Sequence, residues 1–180
     1  MEPQSIQDMK NVLEAALLTS PEPLSLDDLL RLFEARTERA TLRMLLDELK
    51  ADWNDRTMEL VQVASGWRFQ ARSGYAPFLA RLAPERPQRY SRAVMETLAI
   101  IAYKQPVTRG DIEHIRGVAV NQNVMRTLLE RGWIDVVGQR EVPGRPSLYA
   151  TTKTFLDDLN LRSLQELPPL QAPSQEALEL

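Results

Sequence analysis

Residues 12–46 and residues 95–129 of this 180-residue chain run in the same chemical order at a constant offset of 83 positions. Leu17 and Leu18 return as Ile100 and Ile101, Pro23 as Pro106, Ser25 as Thr108, Asp28 as Asp111, and Leu29 as Ile112. Arg43, Leu45 and Leu46 return as Arg126, Leu128 and Leu129. A repeat of this length constrains the architecture before any local reading does. It calls for two copies of one small helical unit in tandem, not one enzyme-sized domain around a single cleft. Each copy has about 75–85 residues, near the lower end of what closes its own core.

The first copy reads as three helices and a hairpin. Residues 6–19 place Ile6, Met9, Val12, Leu13, Ala16 and Leu17 at helical spacing, and Ser20-Pro21-Glu22-Pro23 stops that helix. Ser25 is a capping residue for the next, with Asp27 and Asp28 at its positive end and Leu26, Leu29, Leu30 and Phe33 as the apolar stripe. A third helix over residues 37–53 turns Leu42, Leu45, Leu46 and Leu49 inward. The period then changes to alternation over residues 59–63 and 67–70, with Ser65-Gly66 as the turn. Three helices followed by a hairpin is the winged-helix order. Residues 75–82 read as a closing helix carrying Tyr75, Phe78, Leu79 and Leu82.

The second copy has sharper punctuation. Ser91, Thr108, Asn121 and Thr152 stand at predicted helix starts, and Gly117 and Gly132 at helix ends. The third helix, residues 122–131, turns Val124, Met125, Leu128 and Leu129 inward. Residues 133–137 and 147–150 are strands around a longer wing. The fold class is mainly α with short β hairpins (α+β), as two tandem winged-helix domains. The first covers residues 1–83 and the second residues 91–162, joined by a stiff, proline-bearing linker at 84–90. Residues 163–180 form an acidic tail with Pro168, Pro169 and Pro173, expected to be unstructured alone or to dock on a partner through Leu164, Leu167 and Leu170.

Chemistry is sparse. There is no cysteine and one histidine, His114, so disulfides, thiol catalysis and a histidine metal site are excluded. No glycine-rich phosphate loop is present, and Asp111 and Glu113 suit the first turn of a helix. The expectation is a non-enzymatic protein with no cofactor and no metal. No apolar run reaches the roughly 18 residues a membrane span needs, and residues 1–10 lack the pattern of a secretory signal.

Charge is uneven. Residues 1–83 carry 10 basic against 13 acidic side chains, residues 84–162 carry 12 against 9, and residues 163–180 carry three acids and no base. Only the second copy has a field that suits phosphate. Its third helix offers Asn121, Gln122, Asn123, Arg126 and Arg131, and its wing Arg140 and Arg145. A helix-turn-helix transcription regulator is therefore the alternative function. Asn121 as a cap and Arg126 as a solvated charge are the structural reading of the same residues.

From Tyr90 to Leu161 the chain resembles the ScpB family of bacterial segregation and condensation proteins. The likeness is carried by Ser91-Arg92-Ala93-Val94-Met95-Glu96-Thr97-Leu98-Ala99-Ile100-Ile101-Ala102-Tyr103-Lys104-Gln105-Pro106-Val107-Thr108-Arg109. It continues in Ile115-Arg116-Gly117-Val118, in Arg126-Thr127-Leu128-Leu129-Glu130-Arg131-Gly132, and in Val142-Pro143-Gly144-Arg145-Pro146 before Leu148-Tyr149. The first copy is similar more loosely, through its layout, Leu45-Leu46 and Gly66-Trp67-Arg68, and the proline-rich tail falls outside the pattern.

The resemblance implies a tandem winged-helix subunit of the SMC condensin complex that forms a homodimer, largely through its N-terminal domain. It implies binding to the central region of the kleisin ScpA through the C-terminal domain, and association with the SMC ATPase through that kleisin. DNA contact would be indirect or weak, and there would be no membrane. The setting would be the cytoplasm, at the nucleoid, in chromosome condensation and segregation. On this reading Tyr103, Trp133, Arg145 and Tyr149 are candidates for partner contact, and Trp67, Phe69, Tyr75 and Phe78 for self-association. Arg145 sits between Gly144 and Pro146, on backbone with little freedom to lose.

Overall fold

The structure is a computed structural model and describes residues 5–33, 37–82 and 89–169. Most of the expected linker, residues 84–88, lies outside the described residues, as do residues 170–180 of the tail.

Six of the eight α-helix starts among the described residues are made by a hydroxyl or amide side chain that accepts a free backbone N–H. Ser5 opens α1 (Ile6–Thr19), and Ser25 opens α2 (Leu26–Arg31) with a full capping box to Asp28. The third helix, α3 (Arg39–Asp52), starts without a side-chain cap. It is held instead by its buried stripe of Leu42, Leu45, Leu46 and Leu49. Strands β1 (Met58–Val63) and β2 (Gly66–Ala71) follow as an antiparallel hairpin. Leu13, Leu17, Leu29, Leu60 and Trp67 complete the first core.

Residues 73–82 do not form the one closing helix expected from the sequence. They are a 3-10 turn (Ser73–Tyr75), a single turn α4 (Ala76–Leu79) and a second 3-10 turn (Ala80–Leu82). Pro77 removes an N–H near the start, and none of these residues is buried, so nothing holds the segment to regular α geometry.

The second unit has the same order. Ser91 opens α5 (Arg92–Lys104), Thr108 opens α6 (Arg109–Arg116), Asn121 opens α7 (Gln122–Glu130) and Thr152 opens α8 (Lys153–Asp158). Gly117 ends α6 at φ 71°, a left-handed position that suits a residue without Cβ. Strands β3 (Ile134–Gln139) and β4 (Ser147–Thr151) form the second antiparallel hairpin, with a bulge at Val137. Its core is separate from the first and gathers Val94, Leu98, Ile101, Ile112, Val120, Val124, Met125, Leu128, Ile134 and Phe155.

A third short ribbon joins each hairpin. Leu24 and Trp67 exchange backbone hydrogen bonds of 2.9 and 2.8 Å, and Val107 and Tyr149 exchange a pair of 3.0 and 2.7 Å. Leu24 and Val107 are related by the sequence offset, so the duplication reaches strand pairing. The ribbon passes so close that a Cβ on Gly66 would lie 2.1 Å from the Leu24 carbonyl oxygen.

The constant offset fails in one place. In the first helix of each unit the most deeply buried residues are Leu13 and Leu17 against Thr97 and Ile101, a shift of 84, while Leu18 is exposed; α5 also buries Val94, Leu98 and Ala102. From Leu17 to the cap Ser25 is one residue more than from Ile101 to the cap Thr108, and that extra residue restores the offset of 83. Leu129, expected inward, is 38% exposed; it follows buried Leu128, and a step of about 100° along α7 turns it out of the core. Residues 163–169, expected to belong to an unstructured tail, fold back instead. A 3-10 turn (Leu164–Glu166) brings Leu167 against the second core.

Candidate interaction surfaces

The four residues expected to meet a partner come from different elements of the second unit. Tyr103, at the end of α5, is half-buried and donates its hydroxyl to the Pro168 carbonyl at 2.5 Å. Ala102, Tyr103, Gln105, Leu164, Leu167 and Pro168 line an apolar cleft of about 470 Å³ there. Trp133 packs at a tilt against Tyr90, with ring centroids 4.9 Å apart, lies under Arg131, and donates its indole N–H to Asp158 at 2.7 Å. Tyr149 packs on the core from β4 and is tied to Val107. Arg145 alone is fully presented, at the wing tip, with φ 36° directly after Gly144 at φ 85°. A non-glycine residue in that region carries backbone strain of about 1–3 kcal/mol. Its guanidinium reaches Glu141, at 3.3 Å.

The four residues expected to support self-association divide. Trp67 is 7% exposed and belongs to the first core. Phe69 packs on Trp53 with ring centroids 4.8 Å apart. Tyr75 and Phe78 stand in solvent, Phe78 at 62% exposure, together with Leu79 and Leu82. Sequence reading placed Leu79 and Leu82 on the helix but did not single them out. On the second unit it likewise passed over Val136, Val137 and Val142, three exposed valines of the wing. Val136 and Val137 read as ordinary strand residues in sequence, yet β3 is exposed along five of its six residues.

The basic side chains that a DNA reader would need are engaged elsewhere. Arg140 forms a two-pronged pair with Asp111, at 2.9 and 2.7 Å. That pairing, helped by the Thr108 N–H and hydroxyl, holds the Asp111 carboxyl far below the usual carboxylate range. Arg126 bonds Asn123 and faces Glu130, and Arg131 reaches Asp158. Asn121 is spent on capping, its side chain accepting the Asn123 N–H at 2.8 Å. The Arg109 guanidinium and the Val120 N–H both bind Glu113, which fixes the α6–α7 turn and lowers the pKa of Glu113.

Among the described residues no group of three or more His, Asp or Glu side chains is placed to hold a metal ion. His114 lies exposed on α6. Among the described residues no helix is long and apolar enough to cross a membrane.

Comparison with known proteins is consistent along the chain. The family described as segregation and condensation complex subunit ScpB matches residues 11–170, and so reaches into the proline-rich tail. The segregation and condensation protein B homolog of Coxiella burnetii is 52% identical over 164 residues, covering 90% of this chain and 78% of the relative. The segregation and condensation protein B of Syntrophotalea carbinolica is 41% identical over 166 residues, covering 91% of this chain and 83% of the relative. A crystal structure of ScpB from Mycobacterium tuberculosis is 34% identical, with 86% of this chain and 96% of that one covered, at a TM-score of 0.40.

Proposed function

This chain belongs to the segregation and condensation complex subunit ScpB family, and we propose that it acts as a non-enzymatic docking subunit of the SMC condensin complex. It pairs with a second copy of itself and binds the central region of the kleisin ScpA. The kleisin links it to the SMC ATPase, in the cytoplasm and at the nucleoid, and its contact with DNA is indirect or weak.

The observation that carries this reading is the family match over residues 11–170, which takes in both winged helices. The surface supports it. Arg126, Arg131, Arg140 and Arg145 each face an acidic neighbour within the chain, which leaves little free charge for a phosphate backbone. Apolar side chains stand exposed in both units instead: Tyr75, Phe78, Leu79 and Leu82 on the first, Val136, Val137 and Val142 on the second. Contiguous exposed apolar surface suits protein contact. Two small blocks in each of two chains give an extended kleisin segment a long surface to fold on, which offsets the cost of ordering it. We assign self-association to Tyr75 and Phe78, with Trp67 and Phe69 supporting them from the core side. We assign kleisin contact to the face bearing Tyr103, Trp133, Tyr149 and Arg145.

The test is co-elution of the purified chain with the central region of ScpA at micromolar concentration. A stable complex is the expected result. Separate elution, or sequence-specific binding to a DNA duplex that survives physiological salt, would overturn the proposal.

A further inference from the structure

We infer that residues 157–168 form a strap that fixes the second unit on the first in one orientation, with Arg68 as its fastening residue. The Arg68 guanidinium donates from the first hairpin to the Asp157 carbonyl at 2.8 Å and to the Asn160 side-chain oxygen at 2.7 Å. Two further bonds run beside it. The Ser65 N–H donates to the Asp157 carboxylate at 2.9 Å, and the Ala64 N–H donates to the Leu161 carbonyl at 3.0 Å. The first hairpin is thus held at three points, Asp157 in the last turn of α8 and Asn160 and Leu161 just beyond it.

The local backbone is built for this. Asn160 has φ 56°, a left-handed position that ends α8 and swings Leu161 toward Ala64. Asparagine tolerates that region better than most residues and supplies the oxygen that Arg68 uses. A cation at the last carbonyls of a helix also satisfies acceptors that the helix itself leaves open. Beyond Leu161 the strap is stiffened locally. The Glu166 carboxylate accepts the Arg162 backbone N–H at 2.8 Å and its guanidinium at 2.5 Å. Leu167 then packs on the second core, and the Pro168 carbonyl accepts the Tyr103 hydroxyl. One end of the strap therefore belongs firmly to the second unit, and the other grips the first.

Among the described residues no buried apolar residue is shared between the two cores. The seam is held by polar contacts, each of modest net strength because water competes for every group. Such a joint responds to a single side chain, whereas a fused core would not. The seam bonds themselves, at Ala64, Ser65 and Arg68, involve none of the residues assigned to a partner; Tyr103 and Trp133 touch residues 157–168 only at Pro168 and Asp158, on the side of the second unit.

The chain has no cysteine, so two labels can be placed cleanly. With Lys50→Cys on α3 and Gln122→Cys on α7 carrying spin labels, and labelled chain diluted into unlabelled chain, the interunit distance can be read by pulsed electron resonance. The expected result is one narrow distance in the otherwise unaltered chain and a broad distribution in Arg68→Ala. Asn160→Gly keeps the left-handed turn and removes only the acceptor, so it should broaden the distribution less. A narrow, unchanged distance in Arg68→Ala would overturn the inference, as would a broad distribution before any change at the seam. Should Arg68→Ala fail to fold, amide exchange of the unaltered chain decides. The Ala64 and Ser65 amides are expected to exchange at least about tenfold more slowly than unprotected amides. Exchange at the unprotected rate would show the seam open and overturn the inference.

Discussion

Arg140, on the wing, and Asp111, in the first turn of α6, grip each other through two parallel hydrogen bonds across 29 positions of sequence. The same carboxylate accepts the Thr108 N–H and so closes the capping box of α6. One acidic side chain thus ties the hairpin to the helix-turn-helix. Its pKa is depressed in the folded chain, so its stabilisation is complete above the ordinary carboxylate value of about 3.9 and fades as the pH falls below it. Asp111→Asn should therefore lower the melting temperature at neutral pH. That deficit should shrink as the pH drops through about 4. Melting curves of the two chains across pH check this; a deficit that stays constant into strong acid would mean the carboxylate charge contributes nothing.

The caps provide a second prediction. Thr108 is buried and its hydroxyl accepts the Asp111 N–H at 3.1 Å. Thr108→Ala should cost about 1 kcal/mol by denaturant unfolding, the usual scale for a lost helix cap. Thr108→Ser, which keeps the oxygen, should recover most of it.

Leu128 and Leu129 are neighbours with opposite fates. Leu128 is fully buried, and Leu128→Ala should cost roughly 2–5 kcal/mol. Leu129→Ala should stay within about 0.5 kcal/mol of the unaltered chain, as surface changes do. Equal losses at the two sites, measured by urea titration, would contradict the rotation of α7 described above.

Gly66 tests the third ribbon of the first hairpin. A Cβ there would press on the Leu24 carbonyl oxygen and the Ser25 nitrogen, both backbone atoms that cannot step aside. Gly66→Ala should destabilise the chain by about 3 kcal/mol or more, the upper end of overpacking costs. Gly138 has nothing within 4 Å of its would-be Cβ, and Gly138→Ala should be mild.

For the assembly, Phe78→Glu should weaken self-association in analytical ultracentrifugation while leaving the melting temperature close to that of the unaltered chain. Trp67→Ala should instead unfold the first unit, because that ring lies in the core. Arg145→Glu should weaken kleisin binding at unchanged thermal stability. A large fall in melting temperature with binding intact would identify Arg145 as a packing residue.

The parts of the fold legible in the sequence are those set by short spacing. Ser25 followed at three residues by Asp28, and Thr108 by Asp111, announce their helices because the cap and its acid act within one turn. The hairpin after α3 shows in its alternation and in Gly66. What stayed hidden depends on distant partners. Nothing near Arg140 in sequence points to Asp111, nothing near Trp133 points to Asp158, and nothing near Leu167 points to the second core. The one-residue slip between the first helices escaped notice because Leu17 and Leu18 are both leucine, so a face read from composition fits either register. The partner surface was the least legible, because an aromatic at helical or strand spacing looks the same whether it closes a core, as Trp67 does, or stands in water, as Phe78 does.

The return of residues 157–161 to the first hairpin has a consequence for synthesis. A ribosome delivers the first unit complete, with its own hydrophobic interior, while most of the second is still unmade. That first block can fold early, yet its pose relative to its sibling waits for α8 to emerge. Truncation shortly after α7 should therefore leave a well-folded leading block that has lost its bearings.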